Sequence, residues 1–215
     1  AKLDYKDDAV ARGMLYKARQ NIDGFNAQGS AILCWSMLCI QIVDEALLQM
    51  CMQNIELSAF NDEELCALYI CERSLLIEHP HLLVALPHGV STLVSQAFLR
   101  SLNTIQSSRL HNDVSLVLSG LGVEHENEAV VSGLSVDILI RGDACSMDGM
   151  TTETSDIVIE VDGPSHYLRG DGGVSGATRF KHRMLKKSGI NVLHLPYFEW
   201  DELQTLHAKE TYMKK

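Results

Sequence analysis

The chain has 215 residues, 46% of them apolar and 21% charged, with only four prolines. That balance excludes a disordered, collagenous or mucin-like chain and suits one domain or two small ones. Lys and Arg number 18 against 28 Asp and Glu, a formal charge of −10. A nucleic-acid-binding domain read from bulk charge is basic, so a polyanion partner requires positive charge gathered in one place.

In the first twenty residues Asp4, Asp7 and Asp8 interrupt the basic residues, and no secretory signal is read there. A start at Ala1 leaves room for a presequence already removed. From Leu15 to Leu118 apolar residues recur at three and four and β-branched residues are few, which predicts several short helices. The longest apolar run, Ala31 to Val43, is broken by Ser36 and Gln41; it is too short to span a bilayer and reads as a buried helix. Cysteines stand at 34, 39, 51, 66, 71 and 145, without Cys-x-x-Cys or Cys-x-x-His spacing. Neither a structural zinc site nor a disulfide framework is expected, and a reducing compartment is the simpler setting.

Phe25-Asn26 and Phe60-Asn61 each open a helical pattern, 35 residues apart. This spacing fits either helical-hairpin repeats or an irregular bundle. Asn61-Asp-Glu-Glu64 supplies a cap and first-turn acids. One apolar stripe follows at Leu65, Leu68, Tyr69, Leu75 and Leu76, and a second at Leu82, Leu83, Leu86 and Val90, with His79-Pro80 and Leu86-Pro87 as breaks.

Near residue 120 the period changes from helical to two. Val123–Val131, Leu134–Ile140, Asp156–Asp162 and Ile190–Leu195 read as strands, with a polar loop over Arg141–Thr154. Gly170–Gly176 reads as a flexible loop. Ala177–Ser188 is an amphipathic helix with Ala177, Phe180, Met184 and Leu185 inward and Gly189 as its C-terminal cap, and Trp200 opens a final helix. The expected organisation is a helical region over 1–119 and an α/β module over 120–215.

Glu160 and Asp162 are two apart on one strand and leave the same face. Asp137 alternates with Val136 and Ile138, and comes near the pair if the two strands are neighbours. Three such carboxylates suit Mg²⁺, which could activate water for phosphodiester cleavage, with His166 as acid or base. On spacing alone a solvated strand face, with a turn-forming Asp before Gly163-Pro164, is the stronger expectation. Between residues 169 and 187 stand Arg169, Arg179, Lys181, Arg183, Lys186 and Lys187 against Asp171 alone, a local +5 that leaves −15 on the rest of the chain. Cations so concentrated can meet phosphate on an acidic protein, because screening confines distant charge to about 8 to 10 Å.

Ile159-Glu-Val-Asp-Gly-Pro-Ser-His-Tyr167, then Gly176-Ala-Thr178, Lys181, Arg183-Met-Leu185, Gly189, Val192 and Pro196-Tyr-Phe-Glu-Trp200 together resemble the RAP domain, with Asp137 matching an upstream aspartate. The resemblance covers about residues 120–205, and the preceding half is loosely similar to octotricopeptide-like helical repeats. It implies a PD-(D/E)XK endonuclease-like fold and a role in organellar RNA metabolism in the mitochondrial matrix, with the plastid as alternative. The expected partners are RNA, ribosomal RNA above all, and ribonucleoprotein or mitochondrial ribosomal proteins, with no membrane. Where the nuclease superfamily carries Glu-x-Lys this chain has Glu160-x-Asp162, which favours RNA binding without a cofactor over metal-dependent hydrolysis. Arg169, Arg179, Lys181, Arg183, Lys186 and Lys187 are the expected phosphate contacts, and Tyr167, Tyr197, Phe198 and Trp200 the stacking candidates. Core packing is the stronger expectation for Phe198 and Trp200.

Overall fold

The computed structural model describes residues 7–53, 60–85, 89–104, 106–142, 144–147, 150–153, 155–168 and 173–214. It forms two compact units, one of residues 1–104 with 174–184, the other of residues 105–173 with 185–215.

The first unit is helical, as its period predicts. Asp7 caps α1 (Asp8–Gln20) by accepting from the amides of Ala9 and Val10. Asn26 caps α2 (Ala27–Ile40), and the buried apolar run supplies Ala31, Cys34, Met37, Leu38 and Cys39. After α3 (Glu45–Gln53), Asn61 and Glu64 exchange side-chain-to-backbone hydrogen bonds in a capping box that opens α4 (Asp62–Glu78). Helices α2 and α4 thus begin on equivalent asparagines, and the two pack together. Pro80–Ala85 forms a 3₁₀ helix rather than the expected α-helical stripe, because Pro80 cannot continue α4. Leu86 and Pro87 lie outside the described residues. The all-helical part of this unit ends with α5 (Val90–Leu102), where Phe98 stacks on Tyr69 at 4.3 Å.

The second unit begins at Ile105, so α6 (Arg109–Gly120) goes with the sheet and not with the helical region expected over 1–119. The reason is apolar: Val114, Val117 and Leu118 share one buried cluster with Ile138, Ile159, Val161, Leu195 and Trp200. Strand β1 (Glu126–Val131) turns through Ser132 and Gly133, both at positive φ, into β2 (Leu134–Ile140). The segment expected as a polar loop instead contains a two-stranded hairpin, β3 (Ala144–Met147) with β4 (Met150–Glu153). Strand β5 (Ile157–Asp162) follows, then a 3₁₀ turn over Pro164–His166, α7 (Gly176–Lys187) and β6 (Asn191–Pro196). The sheet order is β1-β2-β5-β6, antiparallel except for the β5–β6 pair. The chain then forms α8 (Tyr197–Asp201) and α9 (Leu206–Met213), two helices where one was expected. On α7 the inward positions are Thr178, Phe180, Met184 and Leu185, and Ala177 is exposed instead of inward. Among the described residues no helix is long and apolar enough to cross a membrane.

Candidate nucleic-acid interface and carboxylate face

Strand alternation sends Val136, Ile138, Ile159 and Val161 to one face of the sheet and Asp137, Glu160 and Asp162 to the other. The β2–β5 pairing sets Ile138 opposite Ile159, so Asp137 stands opposite Glu160 one step along. Asp137 Oδ2 accepts the Val161 N–H at 2.7 Å, tying β2 to β5 where their ladder ends. The three carboxylates expected to converge therefore do share one face. Two more ionisable residues, unremarked in the sequence, extend it to every strand of the sheet. Glu128, between the paired Asn127 and Ala129, has a carboxylate oxygen within 4.8 Å of one on Asp137, and His194 pairs with Glu160 across β5–β6. Period-two counting along Asn191–Pro196 was the available signal for His194, whereas the left-handed Glu128 breaks the count in β1.

Glu160 is 0% exposed and Asp162 is 2% exposed. The two oxygens of Asp162 face imidazoles, His166 Nδ1 at 3.2 Å from Oδ1 and His194 Nδ1 at 3.7 Å from Oδ2. Mg²⁺ demands octahedral oxygen ligation and keeps several waters. A fully buried Glu160 and an Asp162 bracketed by imidazoles do not fit that ion. The set holds no lysine in the place where the nuclease pattern requires one.

The basic segment divides by surroundings. Arg179, Lys186 and Lys187 are exposed on α7, and Lys181 is half-buried. Arg183 is not placed for phosphate. Its Nε and Nη2 donate to Glu78 at 3.0 and 3.1 Å, and its Nη1 and Nη2 reach the carbonyls of Cys39 and Leu38 at 3.2 and 2.6 Å. The Arg183 side chain is 15% exposed and that of Glu78 is 4%. A guanidinium forked onto a buried carboxylate and two helix-end carbonyls is part of the first unit's framework. Arg169 lies outside the described residues.

Tyr167, Tyr197 and Phe198 form an aromatic cluster, edge to face at centroid distances of 5.4 to 5.7 Å. Phe198, expected in the core, is 45% exposed, whereas Trp200 is buried as expected. The difference follows from α8, which turns Trp200 into the apolar cluster and aims its indole N–H at Asp113 Oδ2, 2.8 Å away. Burial, then the negative charges of Asp162 and Glu199, push the Tyr167 hydroxyl up to about 12.

The sequence model of the RAP domain matches residues 159–215, which run from β5 through α7 to the end of the chain. A chloroplastic RAP domain-containing protein of Oryza sativa subsp. japonica is 26% identical over 148 residues, covering 68% of this chain and 21% of that protein. The matched segment is thus a small part of the relative's length. The RAP domain is an RNA-binding domain. The buried carboxylates of β5, the basic helix and the aromatic cluster all fall inside the matched residues, so it is residues 159–215 of the chain that match the RAP domain.

Proposed function

We propose that the chain binds organellar RNA through the phosphate backbone, with Arg179, Lys181, Lys186 and Lys187 of α7 as the contacts. The observation that carries this reading is the exposed cationic surface of α7, inside the RAP match, on a chain of net charge −10. Phosphate contact of this kind is electrostatic and independent of sequence. Phe198 and its Tyr167 and Tyr197 neighbours supply exposed ring surface on which an unpaired base can stack. Ribosomal RNA, in a ribosome component or an assembly and stability factor, is the expected class. The relative's printed name supports the plastid, the alternative to the mitochondrial matrix.

Filter binding of single-stranded RNA tests the reading. Lys186→Glu with Lys187→Glu is expected to weaken binding at least tenfold without changing thermal stability. Crosslinking to RNA equal to that of the parent would sink the proposal. Co-sedimentation of the native protein with organellar ribosomal RNA is expected, and sedimentation as a free monomer would remove the ribosomal part. The carboxylate face supports binding rather than cleavage. RNA incubated with the protein and Mg²⁺ is expected to stay intact; a cleavage that Glu160→Ala abolishes would restore a nuclease.

A further inference from the structure

A chain of hydrogen bonds in the second unit fixes which nitrogen of a buried histidine carries its proton. It starts at the Val123 carbonyl, which can only accept. His125 Nδ1 lies 2.9 Å from that oxygen and must be the N–H, leaving His125 Nε2 as an acceptor. Ser115 Oγ, 2.8 Å from Nε2, spends its proton there and accepts from Asn127 Nδ2 at 3.1 Å. The amide of Asn127 is thereby oriented, and its Oδ1 meets His111 Nε2 at 2.9 Å. His111 Nε2 is therefore the donor.

The other ring nitrogen, Nδ1, is left facing Glu128 Oε1 at 3.3 Å. In the neutral ring that nitrogen presents a lone pair to a carboxylate, and two acceptors repel. Glu128, at φ 52 between the paired Asn127 and Ala129, brings a carboxylate oxygen within 4.8 Å of one on Asp137, a like-charge approach that is unfavourable by itself. Ser107 Oγ donates to Glu128 Oε1 at 2.8 Å, and the Val161 amide to Asp137 Oδ2, so both carboxylates are held in place. His111 is 3% exposed, so water is largely kept from the nitrogen. One ligand atom from each of His111, Glu128 and Asp137 lies within 4.8 Å of the others. Tetrahedral ligands at about 2.1 Å from a shared ion stand about 3.4 Å apart, so closing the set takes at most about 1.4 Å at the widest pair.

We infer that His111 Nδ1, Glu128 and Asp137 bind one divalent first-row metal ion, of the Mn²⁺, Fe²⁺ or Zn²⁺ class. One imidazole with two carboxylates is a donor set for these ions rather than for Ca²⁺. A ligating histidine characteristically donates its second N–H to a fixed oxygen, which is what Asn127 Oδ1 provides. The site shares Asp137 with the carboxylate face but uses neither Glu160 nor Asp162, and it does not depend on RNA binding. An ion there joins α6 to β1 and β2 and offsets the Glu128–Asp137 repulsion.

Mn²⁺ is the probe, because it has little affinity for the thiols of the first unit, and its loss of paramagnetic signal on binding counts the sites. One Mn²⁺ per chain is expected, with a matching rise in melting temperature. Glu128→Gln and His111→Gln are expected to abolish the tight site, and Ser115→Ala to weaken it ten- to a hundredfold through the relay. Glu160→Gln and Asp162→Asn should leave the affinity unchanged. If His111→Gln does not fold, Glu128→Gln and Ser115→Ala carry the test. No binding at millimolar Mn²⁺ or Zn²⁺ by the folded parent overturns the inference, as does binding that survives Glu128→Gln. Nitrogen NMR showing both His111 nitrogens protonated in the presence of metal also overturns it, since a proton would then hold the ion's place.

Discussion

Arg183 shows how a single charge is misjudged when its partner is distant in sequence. It lies in the most basic stretch of the chain, yet Glu78, 105 residues earlier, takes its guanidinium. Nothing in local spacing announces that pairing. Removing one partner of a buried pair leaves the other charge unpaired, which costs about 3–5 kcal/mol. Arg183→Ala is expected to lower urea stability by about that amount. Lys186→Ala, exposed on the same helix, should leave stability within about 0.5 kcal/mol. Asp113 gives a pH prediction. The Lys209 ammonium, at 2.5 Å, and then the Trp200 indole hold its carboxyl below the usual range. A folded pKa below the unfolded value of about 3.9 gives stability that is complete above about pH 4 and lost as pH falls through the lower folded pKa. Asp113→Asn should flatten that acid-side slope in urea midpoints and leave the slope from pH 5 to 8 unchanged.

At the scale of elements, most of what the period could show was legible. Alternation placed β2 and β5 and put Asp137, Glu160 and Asp162 on one side of each strand, while their adjacency came only from the sheet order. The asparagine caps of α2 and α4 were readable because a cap needs only a local side chain and a free amide. Asn61→Ala, which breaks the capping box, is expected to cost about 1 kcal/mol in thermal unfolding. The β3–β4 hairpin was missed because its strands are only four residues each, too short to show a period. Asp148-Gly149 between them was the signal. The β1–β2 turn is sharper evidence of turn chemistry. Ser132 at φ 52 and Gly133 at φ 77 occupy the paired left-handed positions of a two-residue hairpin loop. Ser132→Asn should be neutral or raise stability by a few tenths of a kcal/mol, whereas Gly133→Val should cost about 1–2 kcal/mol, both read from denaturant midpoints.

For the whole molecule, the charge of −10 does not oppose RNA; it directs it. An acidic chain repels a polyanion everywhere except where its cations are gathered, so binding is expected to fall steeply with salt. Each phosphate contact on a single strand contributes a slope of about 0.7 in log affinity against log salt. Lys186→Ala with Lys187→Ala should therefore reduce the measured slope by about 1.4. A variant that lowers affinity equally at all salt concentrations would place the contacts elsewhere. The boundary between the units was not legible near residue 120, because α6 is helical by period yet apolar toward the sheet, and only packing decides which half it joins.

The parallel β5–β6 pair has a consequence for how the protein is made. Synthesis finishes β5 at Asp162, but its partner begins only at Asn191. At roughly 5–20 residues per second, a strand bearing Val158, Ile159 and Val161 waits a few seconds with one backbone edge unpaired. A message truncated ahead of Asn191 makes that interval permanent. Such a product keeps the basic segment but carries an open apolar edge on β5, and edge-to-edge aggregation is its expected fate.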